Sequence, residues 1–76
     1  MNAKRRKELE ALVGRIEEIL AEVEALRDDE QCAYDGMPEG LQSSERGEQS
    51  SEAINQLETA CGALEEARDA VMEAAQ

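Results

Sequence analysis

At 76 residues, with no Trp or Phe and one Tyr, the chain is a single small domain whose core can draw on little beyond Ala, Leu, Ile and Val. Nineteen acidic against eight basic residues leave a net charge of −11, which excludes direct nucleic-acid binding and docking on anionic membranes as primary roles. So thin a core is ordinarily completed by oligomerisation, and at least a homodimer is expected.

The first element is helical. Leu9, Leu12, Ile16, Ile19, Val23 and Leu26 recur at steps of three and four, one stripe of a heptad pattern. Val13 and Leu20 lie beside the stripe and widen it to a face, which favours a bundle over a bare two-stranded seam. Gly14 interrupts the pattern at a cost of about 1 kcal/mol relative to Ala; either it allows a close helix crossing or it is simply tolerated.

Residues 34–48 break the periodicity and concentrate the unusual side chains: the only Tyr, the only Pro, and three of the five Gly. Pro38 suits the first turn of a helix and pushes Met37 toward extended backbone. A short irregular turn over about 35–43 is expected, with a second helix continuous from about Ser44, where Ser43 or Ser44 would serve as N-cap. The first helix then covers about 4–34 and the second about 44–75. The second carries Ile54, Leu57, Cys61, Leu64 and Val71, with a parallel stripe of Ala53, Ala60, Ala67 and Ala74 that permits close approach of another helix.

A short connection makes two such helices antiparallel neighbours. The expected fold is therefore all-α: an antiparallel helical hairpin over residues 1–76, dimerising into a four-helix bundle. The bundle core would be Leu9, Leu12, Ile16, Ile19, Val23, Leu26, Ile54, Leu57, Cys61, Leu64 and Val71. The basic run Lys4–Lys7 should fall beside Glu65, Glu66, Asp69 and Glu73. Cys32 would lie opposite about residue 46, placing Cys61 roughly 22 Å away along the bundle. A disulfide needs Cα atoms within about 7 Å, so an intrachain bond is ruled out in this geometry.

Most chemistry is absent from the sequence. There is no His, so neither the commonest general base nor the commonest metal ligand is present. No Gly-rich phosphate loop occurs. Two isolated Cys without His do not make a zinc site. The run from Asp28 to Gly36 has a superficial likeness to a calcium loop, but Gln31 and Ala33 fall where oxygen donors are required and the bidentate Glu is misplaced. No enzyme, cofactor or metal is expected. No apolar run exceeds three residues, and neither a secretion signal nor a membrane span is evident, so a cytoplasmic location is expected.

The candidate site is the turn. Tyr34, Met37 and Leu41 supply apolar surface; Gln42, Ser43, Ser44 and Arg46 supply donors. In a homodimer these groups would come from two chains. The competing reading is that the apolar trio plugs the end of the bundle while Arg46 pairs with Asp35 or Glu39.

The run Tyr34–Glu48 resembles a segment of small uncharacterised helical proteins of phages and prophage-bearing bacteria. There a Tyr-Asp-x-Met-Pro-Glu-x-Leu-Gln-x-Ser-Glu-Arg core lies between two acidic helices. The likeness covers about a fifth of the chain, and it departs at Gly36 and Gly40, where Asn occurs as often. It implies a helical hairpin and a phage-linked origin in a host cytoplasm, and it carries no activity. Three functions follow. The first is a non-enzymatic homo-oligomeric binding protein, an accessory or counter-defence factor that captures a host protein or small ligand at the turn end. The second is an acidic DNA-mimic inhibitor, for which Glu10, Glu17 and Glu24 form a ladder. The third is a structural assembly component.

Overall fold

The computed structural model describes residues 1–76 and contains three helices and no strand. These are α1 (Ala3–Asp35), the one-turn α2 (Glu39–Gln42) and α3 (Glu45–Ala74). At 1.5 Å per residue, α1 and α3 are each on the order of 45–50 Å long. The molecule measures 58 × 14 × 12 Å, so the two long helices lie side by side rather than end to end. The radius of gyration is 17.2 Å; a globule of this length would have about 11 Å. The chain is an elongated, two-helix structure.

The helix ends are set by local chemistry. Asn2 caps α1, its side-chain oxygen accepting from the Arg5 backbone N–H at 2.7 Å. α1 stops at Asp35 because Pro38 holds the preceding residue out of helical geometry. No residue has positive φ, so neither Gly36 nor Gly40 is required for a left-handed turn. The segment expected to be irregular contains α2: Pro38 sits at its N-cap with φ −57°, and its carbonyl accepts from the Leu41 and Gln42 amides at 2.9 and 3.1 Å. Ser44, rather than Ser43, caps α3.

The register of α1 on α3 follows from one bond. Ser50 Oγ donates to Glu30 Oε1 at 2.6 Å. Antiparallel residues at equal height therefore have numbers adding to about 80. The buried side chains agree: Leu20 stands level with Cys61, and Ile54 with Arg27. These three apolar residues are 6%, 4% and 6% exposed for Leu20, Cys61 and Ile54 respectively. Burying Leu20 or Ile54 contributes about 2 kcal/mol each. Only six of 76 residues are buried and no large side chain is fully enclosed, which is the thin core that the composition implies.

The seam inside the chain is not the stripe that sequence periodicity singles out first. Three heptad rows run side by side on α1: 12/19/26/33, 9/16/23/30 and 13/20/27/34. One partner helix covers only two of them. The structure buries or half-buries Leu9, Ile16, Val23, Val13 and Leu20 against α3, where Ile54, Leu57, Cys61, Leu64 and Val71 face them. Leu12, Ile19 and Leu26 remain 40%, 49% and 61% exposed. Within a single chain, these three candidate core residues are therefore surface. The row 13/20 continues through Arg6 and Arg27: Arg27 carries its charged head outward to Asp28, whereas Arg6 keeps Nε buried without a partner and donates Nη2 to the Met1 carbonyl at 3.4 Å. Asp28 accepts from Arg27 at 3.1 Å, and Asp69 from Arg68 at 3.1 Å. The hydrogen bond to Asp28 is the main reason the Arg27 pKa is raised above its ordinary value.

Of the two readings of Gly14 the structure keeps the second, and one further expectation differs. A Cβ built on Gly14 would meet nothing within 4 Å, so Gly14 marks no close crossing within the chain. The Lys4–Lys7 run makes no ion pair with α3, since the only two ion pairs join sequence neighbours. The register explains this. Lys4–Lys7 stand level with residues 73–76; Glu65, Glu66 and Asp69 fall at least a helical turn further along, Asp69 is engaged by Arg68, and Glu73, at the height of Lys7, is exposed on the side of α3 opposite buried Ala75. Cys32 is exposed and Cys61 is buried, both as free thiols.

Candidate functional site

At the turn, most of the expected donors are consumed by the backbone. Gln42 Nε2 donates to the Tyr34 carbonyl at 3.0 Å, satisfying one of the last carbonyls of α1. Ser43 Oγ donates to the Glu39 carbonyl at 3.5 Å. Ser44 Oγ donates to the Leu41 carbonyl and accepts from the Gly47 amide. Tyr34 is half-buried on the seam row. Gly47 explains how the corner closes: a Cβ there would collide with the carbonyl oxygens of Leu41 and Gln42. The α2 corner thus rests directly on the α3 backbone, an approach only glycine permits.

The remaining turn residues converge. Met37, Leu41 and Arg46, with Ala33, Gly36 and Pro38, line an open depression of about 330 Å³. Leu41 is 48% exposed. Arg46 pairs with neither Asp35 nor Glu39; Asp35 is instead held by Gln31 Nε2 at 3.0 Å. Of the seven candidates, then, Met37, Leu41 and Arg46 line one open depression of mixed polarity, with Arg46 free of any ion pair. Tyr34, Gln42, Ser43 and Ser44 build the turn beneath it.

A larger surface, which periodicity alone did not assign, runs the length of the molecule. Because Glu30 bonds Ser50, the rows 9/16/23/30 and 50/57/64/71 face one another. The next rows outward on that side are 5/12/19/26/33 on α1 and 46/53/60/67/74 on α3. They consist of Arg5, Leu12, Ile19, Leu26 and Ala33, and of Arg46, Ala53, Ala60, Ala67 and Ala74. The chain has nineteen carboxylates, and neither row contains one. The turn depression lies at one end of this face, sharing Ala33 and Arg46 with it.

The opposite flank is the reverse in character. Rows 10/17/24/31 and 51/58/65/72 carry Glu10, Glu17, Glu24, Glu58 and Glu65 and no cation. A second open depression of about 400 Å³ lies on this side near the chain termini, lined by Glu10, Val13, Met72, Ala75 and Gln76. Only the antiparallel register brings residues 10 and 76 together, so no local motif announces it. No group of three or more potential metal-ligating side chains occurs, and no helix is long and apolar enough to cross a membrane.

No protein-family model, no curated protein and no solved structure matches this chain.

Proposed function

We propose that the protein is a non-enzymatic interaction module that pairs with a second copy of itself. Its carboxylate-free face forms the contact, and the product is a four-helix bundle. The turn ends, with Met37, Leu41 and Arg46, then present a composite surface to a host protein or small ligand. The observation that carries this reading is the exposure of Leu12, Ile19 and Leu26, 40%, 49% and 61%, along one continuous line. Such a line costs solubility unless it is covered. Two chains of charge −11 repel through most of their surface, and this face is where they meet without opposed carboxylates.

Sedimentation equilibrium tests the pairing. A dimer that falls apart on Ile19→Asp supports it; a monomer at tens of micromolar overturns it. The turn site is tested by affinity capture from host extract with the wild-type chain and with Leu41→Ala/Arg46→Ala. A partner held by the first and lost by the second supports the site, and equal capture by both overturns it.

The flank of Glu10, Glu17, Glu24, Glu58 and Glu65 favours a second reading, an inhibitor that imitates the phosphates of DNA in a basic groove. It predicts binding that weakens steeply with salt, whereas capture at the apolar side chains of the turn varies little.

A further inference from the structure

The carboxylate-free face has a shape as well as a polarity. Its α1 row is large, its α3 row small, and the register aligns them: Leu12 stands level with Ala67, Ile19 with Ala60, and Leu26 with Ala53. A ridge and a shallow groove therefore run side by side at matched heights on one surface. Two such faces can pair in two ways that keep every helical neighbour antiparallel. A two-fold axis perpendicular to the helices would set ridge on ridge and groove on groove, splaying one side of the bundle and crowding the other. An axis parallel to the helices sets each ridge into the partner's groove at equal height.

We infer that a second copy of this chain seats its Ala53–Ala60–Ala67 row on the Leu12–Ile19–Leu26 row about a two-fold axis parallel to the helices, with both turn ends at the same end of the bundle. This rests on the pairing proposed above and adds its geometry. An isologous contact must be self-complementary, residue i meeting j while j meets i, and the level pairs Leu12/Ala67, Ile19/Ala60 and Leu26/Ala53 meet that condition. Small residues opposite large ones let helices approach at ~8–10 Å with interdigitated side chains. The face is about 32 Å long from Leu12 to Ala33 and about 20 Å wide across two helices. That is roughly 600 Å² on each copy, within the range of stable small interfaces. The two Met37–Leu41–Arg46 depressions then lie at one end of the bundle, as a paired surface bearing two Arg46 side chains.

The exposed thiol of Cys32 reports the arrangement without altering the chain. It lies on the α1 row farthest from α3, outside the proposed contact, while Cys61 is shielded. A nitroxide attached to Cys32, at one label per chain, gives the distance between labels in the dimer by pulsed electron–electron resonance. Turn ends together place the two Cys32 positions ~25 Å apart, set by helix spacing. Turn ends opposed place them ~40 Å apart, set by the rise along the helices. The shorter distance is the expected result. The longer distance in a protein of dimer mass overturns this geometry while leaving the pairing intact. A monomer mass with no dipolar signal overturns both.

Discussion

Ser50 Oγ donates a 2.6 Å hydrogen bond to Glu30 Oε1 across twenty residues of sequence, the one side-chain bond that joins the two long helices. Glu30 occupies the heptad position that follows Leu9, Ile16 and Val23, where an apolar residue would continue the seam. The polar pair holds residues 30 and 50 at equal height across the seam.

Ser50→Ala leaves the half-buried Glu30 carboxylate without its donor and is expected to cost about 1–2 kcal/mol. Glu30→Leu combined with Ser50→Ala replaces both partners by apolar groups and should regain that loss or exceed it. Thermal melts of the two variants check this. A double variant less stable than Ser50→Ala alone would show that the bond contributes more than apolar contact at the same place.

Leu20→Ala and Leu26→Ala remove the same atoms from the same helix, with different expected consequences. Leu20 is 6% exposed, so its truncation should cost about 2 kcal/mol of folding stability at any protein concentration. Leu26 is 61% exposed in the single chain, so its truncation should leave the fold nearly unchanged. It should instead weaken self-association at least tenfold, about 1.4 kcal/mol. Denaturation at several concentrations, with sedimentation equilibrium, separates the two. Equal effects on both quantities would contradict the division between inner and outer rows.

Two glycines make opposite predictions. Gly14 lies in a helix with open space around its missing Cβ, so Gly14→Ala should stabilise by roughly 1 kcal/mol. At Gly47 a Cβ meets the Leu41 and Gln42 carbonyl oxygens, so Gly47→Ala should displace the α2 corner and destabilise by a larger amount. Circular dichroism melts decide both signs. A neutral Gly47→Ala would show that the corner moves freely.

Arg46→Ala should leave helicity and melting temperature essentially unchanged, because the guanidinium forms no ion pair in the chain. A fall of several degrees would make Arg46 a structural residue and remove it from the turn surface.

The sequence by itself determined the helical class, the position of the chain reversal, a serine cap at 43 or 44 and the residues of the two apolar patterns. Each depends on contacts within a few residues, which spacing and local propensity report directly. Which heptad row of α1 meets α3 was decided only by the tertiary structure. Rows 12/19/26 and 13/20/27 flank 9/16/23 alike, and periodicity cannot say on which side a partner helix sits. The same choice put Leu12, Ile19 and Leu26 on the surface, joined them to the alanine row of α3, and set Glu10, Glu17, Glu24, Glu58 and Glu65 on the far flank. At the turn, donors countable in the sequence were spent on nearby carbonyls, since a helix end must satisfy its own backbone first. Lys4–Lys7 form no ion pair with α3 because Glu65, Glu66 and Asp69 lie further along the helix and Glu73, at the height of Lys7, lies on the side of α3 opposite buried Ala75.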